Sequence, residues 1–171
     1  MPASNPDLLS GAFDRYYPAI FRYFRYRGAD PDTANDFASA TFERALENLP
    51  RYDPRKSQIQ TWLFAIARNQ AINHWKSEKQ TTELDDDLPA PDAPLEQEII
   101  LLQDKAQILL ALQQLDGRAR EIIAFKFGGR LTNRQIAELT NLTESNVGII
   151  LYRSLTKLKT LLAASLEARH E

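Results

Sequence analysis

Hydrophobic residues recur at intervals of three and four over long stretches of this chain, which predicts amphipathic helices. Strand-like alternation of apolar and polar positions is nearly absent. The sequence therefore predicts an all-α fold. The predicted helices cover residues 7–27, 31–48, 58–79, 95–115 and 117–127, followed by a closely spaced pair at 133–140 and 144–162.

The final pair of predicted helices has clear start and stop signals. Thr132 with Gln135 three residues later forms a capping-box pattern, and Asn141 can adopt the left-handed conformation that ends a helix. Thr143 is a suitable cap for the next helix. Two helices joined by so short a turn are typical of a helix-turn-helix, whose second helix lies in the DNA major groove. An ordinary packed helical hairpin is the alternative.

Helical spacing also predicts which residues face the core. The predicted inward positions are Leu9, Phe13, Tyr17, Ile20, Phe21 and Phe24 on the first helix, Ile59, Trp62, Leu63, Ile66 and Ala67 on the third, and Val147, Ile150, Leu151, Leu155, Leu158, Leu161 and Leu162 on the last. The third helix changes character at residues 68–76, RNQAINHWK, which mix cations, amides and an aromatic ring. This mixture suits single-stranded nucleic acid. A solvated helix end, with Trp75 packing on the protein, is an equally simple interpretation.

Charge is unevenly distributed along the chain. Residues 1–79 carry 11 Lys and Arg against 9 Asp and Glu, residues 80–104 carry none against 8, and residues 105–171 carry 10 against 6. The acidic stretch also contains Pro89, Pro91 and Pro94, a composition that disfavours independent folding. We predict two helical domains, residues 1–79 and 99–171, joined by an acidic flexible linker, residues 80–98. A long surface loop within one domain is the alternative.

Composition argues against several kinds of site. The chain has no cysteine and two histidines, so neither a cysteine-ligated nor a histidine-rich metal centre is expected. No apolar run reaches the roughly 20 residues needed to span a bilayer, and the N-terminus does not resemble a secretory signal. We expect a cytoplasmic protein without membrane insertion. We also expect no cofactor, no metal and no catalytic residue, because no phosphate-binding loop or nucleophile–base pattern is present.

Two segments together resemble a known family. Residues 61–79, TWLFAIARNQAINHWKSEK, resemble the signature of sigma domain two. Residues 131–159, LTNRQIAELTNLTESNVGIILYRSLTKLK, resemble the helix-turn-helix of sigma domain four. Their order, with an acidic linker between them, is similar to the extracytoplasmic-function group of bacterial RNA polymerase sigma factors.

The resemblance implies RNA polymerase core and promoter DNA as partners, with an anti-sigma protein as a further candidate. Domain two would capture an unpaired base of the −10 element, through Tyr52, Arg55, Lys56, Ser57, Arg68, Asn69, Asn73 and Lys76. Domain four would read the −35 duplex, through Thr143, Glu144, Ser145, Asn146, Ile149, Tyr152, Arg153 and Lys157. Asp36, Glu43 and Arg44 would contact the polymerase.

The chain departs from the family pattern in two places. Gly148, Ile149 and Ile150 stand where many relatives have a basic pair after the recognition-helix valine. Glycine inside a helix costs up to about 1 kcal/mol relative to alanine, which a close backbone approach could offset. The second helix also lacks the glutamine and following acid typical of the clamp-binding face.

Two other functions are compatible with part of the pattern. A repressor or activator that works without polymerase would explain the helix-turn-helix but gives the mixed segment 68–76 no role. A sigma mimic that binds an anti-sigma protein and no promoter is a further alternative. Promoter-specific initiation by reconstituted polymerase discriminates among these functions.

Overall fold

The computed structural model describes residues 5–75 and 105–169, in which helices alternate with short turns and no strand occurs. We refer to residues 5–75 as the N-terminal part and to residues 105–169 as the C-terminal part. The predicted linker, residues 80–98, lies outside the described residues, and so does Lys76. The predicted all-α fold is confirmed.

The N-terminal part contains the helices α1 (Asn5–Arg27), α2 (Pro31–Asn48) and α3 (Ile59–His74). Gly28 ends α1 with a φ of 113°, a conformation that favours glycine. Asp30 then caps α2, because its carboxylate accepts hydrogen bonds from the backbone nitrogen and the hydroxyl of Thr33, each at 2.9 Å. These hydrogen bonds lower the pKa of Asp30. A 3₁₀ turn (Leu49–Arg51) and a loop (52–58) lead from α2 to α3.

The C-terminal part contains α4 (Lys105–Leu112), α5 (Gly117–Ile123), α6 (Asn133–Thr140) and α7 (Glu144–Arg169). The predicted helix 117–127 does not continue as a regular α-helix to its end. Residues Ala124–Gly128 instead form a π-helical turn, in which the Gly129 nitrogen donates to the Ala124 carbonyl at 2.9 Å. At the end of this wider turn, Gly128 and Gly129 pack closely against the N-terminal part.

Helices α6 and α7 form the predicted helix-turn-helix. Thr132 and Gln135 make both bonds of the capping box, and Asn141 adopts the left-handed conformation with a φ of 58°. The Thr143 hydroxyl accepts a hydrogen bond from the Asn146 nitrogen at 3.1 Å and so caps α7. The start and stop signals predicted from the sequence are therefore confirmed.

One hydrophobic core extends through both parts of the chain. At its centre, the Tyr23 ring of α1 stacks on Phe125 of the π-helical turn, with ring centroids 4.7 Å apart and planes 16° apart. The Phe64 ring of α3 meets the edge of both rings, with centroids 5.8 Å from Tyr23 and 6.2 Å from Phe125. All three side chains are fully buried. Aromatic pairs of this kind add about 0.5–1.5 kcal/mol each beyond their buried area.

Two glycines make this close packing possible. A Cβ atom on Gly128 would lie 3.0 Å from the Tyr23 backbone nitrogen and 3.1 Å from the Arg22 carbonyl carbon of α1. A Cβ atom on Gly129 would lie 2.8 Å from the Phe64 ring. A backbone cannot yield as a flexible side chain can, so any larger residue at Gly128 would push the C-terminal part away from α1.

Most of the predicted core positions are buried, but the burial of α1 and α3 differs from the prediction in two ways. Phe13 was predicted to face the core, yet it is 44 % exposed, because it lies in an open groove between the beginning of α1 and the end of α2. Tyr23 and Phe64 were not predicted as core residues, although both are fully buried. Each packs against the C-terminal part, so periodicity within the N-terminal part alone does not mark them.

The capping box at α6 gives a direct test of these local assignments. We expect Thr132→Ala to lower the free energy of unfolding by about 1 kcal/mol, because the Gln135 nitrogen loses its hydroxyl acceptor. Chemical denaturation measures the change. Thr132→Ser keeps a hydroxyl at the same place and should behave like the unsubstituted protein. Equal losses for Ala and Ser would contradict the capping role.

Candidate nucleic-acid interface

The second half of α3 presents two amides to solvent. Asn69 and Asn73, one helical turn apart, are both exposed, whereas Ala67 and Ala71 on the opposite face are buried. Burial of that opposite face fixes the rotation of the helix, so the two amides point outward together. An amide offers both a donor and an acceptor and can therefore pair with the edge of a base.

Contacts of Tyr52 hold the loop before α3 in place. The Tyr52 ring packs on Trp62 with centroids 4.8 Å apart, and its hydroxyl donates to the Ser57 carbonyl at 3.0 Å. Burial, followed by the negative charge of Asp53, raises the pKa of Tyr52. Tyr52 therefore supports the loop as well as lining it, and its hydroxyl stays protonated at neutral pH.

Arg55 projects from this loop and forms an ion pair with Asp53. Its Nε atom lies 3.1 Å from an Asp53 carboxylate oxygen, and its side chain is 89 % exposed. The Arg55 side chain and backbone nitrogen both donate to that carboxylate, which lowers the pKa of Asp53. Exposed pairs of this kind contribute roughly 0–1 kcal/mol, so the guanidinium can exchange Asp53 for a phosphate at little cost. Lys56, beside it, is also exposed.

Arg68 does not point freely to solvent with the two amides. Its Nε atom donates to the Glu121 carboxylate of α5 at 2.6 Å, and the Glu121 side chain is 4 % exposed. A predicted DNA contact of the N-terminal part is thus bonded to a buried acid of the C-terminal part. The sequence analysis did not single out Glu121, although a carboxylate directly before the apolar run IIAF was a usable signal.

Helix α7, the second helix of the helix-turn-helix, has one face buried in the protein and one face open to solvent. Val147, Ile150 and Leu151 are buried against the rest of the C-terminal part. The remaining positions of its first turns are open to solvent to different degrees: Glu144 and Ser145 are exposed, and Asn146, Gly148, Ile149, Tyr152 and Arg153 are partly buried.

Three of the predicted −35 residues already have structural partners. Thr143 caps α7 through its hydroxyl. The Lys157 ammonium donates to the Gln114 carbonyl at 3.2 Å, although the residue remains exposed. Arg153 also has an interaction within the protein. Glu144 and Ser145, at the beginning of α7, are exposed.

Gly148 lies on the open face of α7. No described atom would come within 4 Å of a Cβ atom at this position. The protein itself therefore supplies no close approach that would require glycine at position 148.

The predicted polymerase contacts lie on α2. Asp36, Glu43 and Arg44 are all exposed, and Glu43 also borders the groove that contains Phe13. This groove has a volume of about 410 Å³ and is lined by Leu9, Ser10, Phe13, Ser39, Phe42, Glu43 and Leu46.

Within residues 5–75 and 105–169, no group of three or more His, Cys, Asp or Glu side chains is arranged to hold a metal ion. No helix in these two ranges is long and apolar enough to cross a membrane.

Comparison with known proteins identifies both parts. The Sigma-70 region 2 family model matches residues 12–81, and the Sigma-70 region 4 model matches residues 105–158. The chain is 28 % identical over 165 residues to the ECF RNA polymerase sigma factor BldN of Streptomyces coelicolor, covering 94 % of this chain and 62 % of BldN. It is 25 % identical to ECF sigma factor SigM of Bacillus subtilis, covering 87 % of this chain and 91 % of SigM. The chain belongs to the extracytoplasmic-function group of sigma factors.

Solved structures with the same fold are also sigma factors. The structure of CnrH in complex with the cytosolic domain of CnrY has a TM-score of 0.71 and 21 % identity, and covers 94 % of this chain and 91 % of CnrH. The sigma factor RpoE of Bartonella quintana, in complex with the anti-sigma factor NepR, has a TM-score of 0.68 and 17 % identity, and covers 90 % of this chain and 96 % of RpoE. At this identity the likeness concerns the fold alone.

A sigma factor directs bacterial RNA polymerase to promoters. The match to region 2, in addition to the helix-turn-helix of region 4, disfavours a regulator that works without polymerase.

Proposed function

We propose that this sigma factor reads the −10 element with the exposed face of α3 and the loop before it, and the −35 element with the first turns of α7. The observation that carries the proposal is the pair of outward amides, Asn69 and Asn73, on the helix that follows a loop with two exposed cations, Arg55 and Lys56. We assign residues 1–79 and 99–171 to the two reading domains, with residues 80–98 linking them.

The chemistry of the α3 face suits an unpaired base. Taking a base out of its stack costs a few kcal/mol, which the protein has to recover through new contacts. Asn69 and Asn73 can each donate to and accept from a Watson–Crick edge. Arg55 and Lys56 supply positive charge for the neighbouring phosphates, and Tyr52 and Ser57 hold the loop in shape. Arg68 on α3 and Lys76, which lies outside the described residues, complete the proposed set.

The open face of α7 suits a duplex. Its N-terminal residues lie where a helix-turn-helix meets base edges. Asn146 can bond to adenine and Glu144 can accept from the cytosine amino group, whereas Arg153 and Lys157 fit phosphates. Ser145, Ile149 and Tyr152 share this side of the helix, since they follow one another at intervals of three and four residues.

The partners follow from the same assignment. We propose RNA polymerase core as the obligatory partner, contacted through Asp36, Glu43 and Arg44 on α2. Because CnrH and RpoE of Bartonella quintana were each solved with a regulatory protein bound, we also propose that an anti-sigma protein controls this chain. We propose that the protein acts in the cytoplasm and that the transcription chemistry belongs to the polymerase.

Replacement of one outward amide tests the −10 assignment. We expect Asn69→Ala to reduce promoter-specific initiation by about tenfold, because one good amide–base contact is worth about 1–3 kcal/mol. Affinity for core polymerase should stay unchanged, because Asn69 lies on a different helix from the proposed polymerase contacts. Run-off transcription and core-binding titration provide the two measurements.

Gln113→Ala is the matched control for this experiment. Gln113 is an exposed amide directly after α4, and its side chain is not one of the proposed DNA contacts. It should leave initiation unchanged. Full activity of Asn69→Ala on every promoter tested would rule out its reading role, and loss of core binding would mean that the substitution acts on the polymerase contact instead. Failure of the unsubstituted protein to initiate with core would overturn the proposed function itself.

Gly148 on α7 gives a second test, because its replacement should raise the stability of the protein and weaken its binding to DNA. We expect Gly148→Ala to raise the free energy of unfolding by up to about 1 kcal/mol, because alanine is the better helix former and the site has room for its Cβ. We propose that position 148 approaches DNA closely, so the same substitution should weaken binding to −35 duplex. Gly11→Ala, also on an open helix surface, should stabilise without affecting DNA binding. Undiminished −35 binding by the Gly148 variant would contradict the close approach.

A further inference from the structure

The second half of α3, which carries Asn69 and Asn73, is anchored differently from the first half. The first half buries the large side chains of Leu63 and Phe64. The second half buries two alanines and one glutamine: Ala67, Ala71 and Gln70. A methyl group reaches only a short way into the groove of a neighbouring helix, so alanines resist rotation of a packed helix weakly. Gln70 is therefore the buried side chain best placed to orient this half of α3.

Gln70 is hydrogen-bonded to the middle of α2. Its Nε2 atom donates to the Thr41 hydroxyl at 2.7 Å and to the Phe37 carbonyl at 3.3 Å. The Thr41 hydroxyl itself donates to the Phe37 carbonyl at 2.7 Å, which leaves its oxygen free to accept from Gln70. Gln70 and Thr41 are both buried. The three groups thus form a closed network between α2 and α3, which we call the Gln70 network.

The Phe37 ring contacts the end of α3 near the same network. Its centroid lies 4.9 Å from the His74 ring and 6.2 Å from the Trp75 ring, and both pairs meet edge to face. Aromatic contacts of this kind tolerate a range of angles, whereas a hydrogen bond weakens steeply when its angle departs from linearity. The ring contacts therefore hold the end of α3 against α2, and the Gln70 network restricts its rotation.

A small rotation of α3 is enough to disturb base reading. The end of an asparagine side chain lies about 6 Å from the helix axis, so a rotation of about 10° moves it by roughly 1 Å. A binding group has to be held within about 0.5 Å of its productive position. The orientation of Asn69 and Asn73 consequently depends on how precisely the second half of α3 is held.

We propose that Gln70 and Thr41 are positioning residues for −10 recognition. This inference rests on the proposed function, in which Asn69 and Asn73 read an unpaired base. Neither positioning residue contacts DNA. The hydrogen bond between them sets the direction in which the two amides point, and thereby the base that they accept. A purely structural role would predict lower stability with unchanged base preference, which is a different result.

Base preference is measured by run-off transcription with core polymerase and the full-length chain on promoters randomised in the −10 element. Asn69→Ala identifies the position that Asn69 reads. At that position we expect Gln70→Leu to reduce the preference for the best base over the worst about tenfold, a factor equivalent to about 1.4 kcal/mol. The Thr41 hydroxyl keeps the Phe37 carbonyl as its acceptor, so the denaturation midpoint should not fall.

Two substitutions of Thr41 separate positioning from stability. Thr41→Val keeps the shape of the side chain but removes the hydroxyl, so it should relax the base preference at the same position. Thr41→Ser keeps the hydroxyl and removes a buried methyl group, so it should lower the denaturation midpoint and leave the preference intact. Gln113→Leu makes the same replacement as Gln70→Leu at an exposed amide and should change neither property.

The outcomes distinguish this inference from the proposed function. Full base preference in both Gln70→Leu and Thr41→Val, while Asn69→Ala relaxes it, would overturn the positioning role. Equal relaxation by Thr41→Ser and Thr41→Val would also overturn it, because the hydroxyl would then not be the cause. Unaltered preference in Asn69→Ala would count against reading by Asn69, whereas relaxed preference in Gln70→Leu and Thr41→Val would still support positioning of α3. Circular dichroism checks that each variant folds, and if one does not, the other decides.

Discussion

The stacking of Tyr23 on Phe125 is the contact on which the rest of the structure depends. It joins a helix of sigma region 2 to a turn of sigma region 4, and Phe64 closes the cluster from the side. The approach is possible because Gly128 and Gly129 have no side chains. Charged groups also lie in the interface around this cluster. The clearest example is the ion pair between Arg68 and Glu121. Breaking such a pair by removing one partner is costly as long as the other charge remains buried.

Because the two regions of the sigma factor share this packing, the folded structure of each depends on the other. Their separate roles do not require this dependence. The proposed reading surfaces of the two regions belong to elements that pack around a common core. Asn69 and Asn73 on α3 and Glu144 and Ser145 on α7 are exposed, whereas Arg68 is bonded to the buried Glu121. Among the proposed DNA contacts, Arg68 therefore differs from these exposed residues in having a partner in the other region.

Local features of the fold could be predicted because their causes are local. The capping box at Thr132, the left-handed Asn141 and the Asp30 cap each depend on residues within one turn. The buried stripe of α7 follows from helical spacing alone. The exposure of Asn69 and Asn73 was also predictable, because these polar residues lie one helical turn apart on the side of α3 opposite its buried apolar positions.

The interface between the regions could not be predicted in the same way. Tyr23, Phe64 and Glu121 are buried by residues far away in sequence, and periodicity within one region cannot reveal a partner in another. Gly128 and Gly129 permit the close packing of the two regions, and the linear sequence does not show which residues they approach. Arg68 was assigned to DNA from the resemblance to sigma domain two, and its bond to Glu121 depends on an arrangement that the linear pattern does not contain.

Equilibrium unfolding tests most directly whether the two sigma regions share one core. Both tryptophans, Trp62 and Trp75, lie in the N-terminal part, so their fluorescence follows that part, whereas far-ultraviolet circular dichroism follows the helices of both. A shared core predicts that the two signals change at the same denaturant concentration, in a single cooperative transition. Two separate transitions, with the fluorescence change displaced from part of the helix loss, would contradict it.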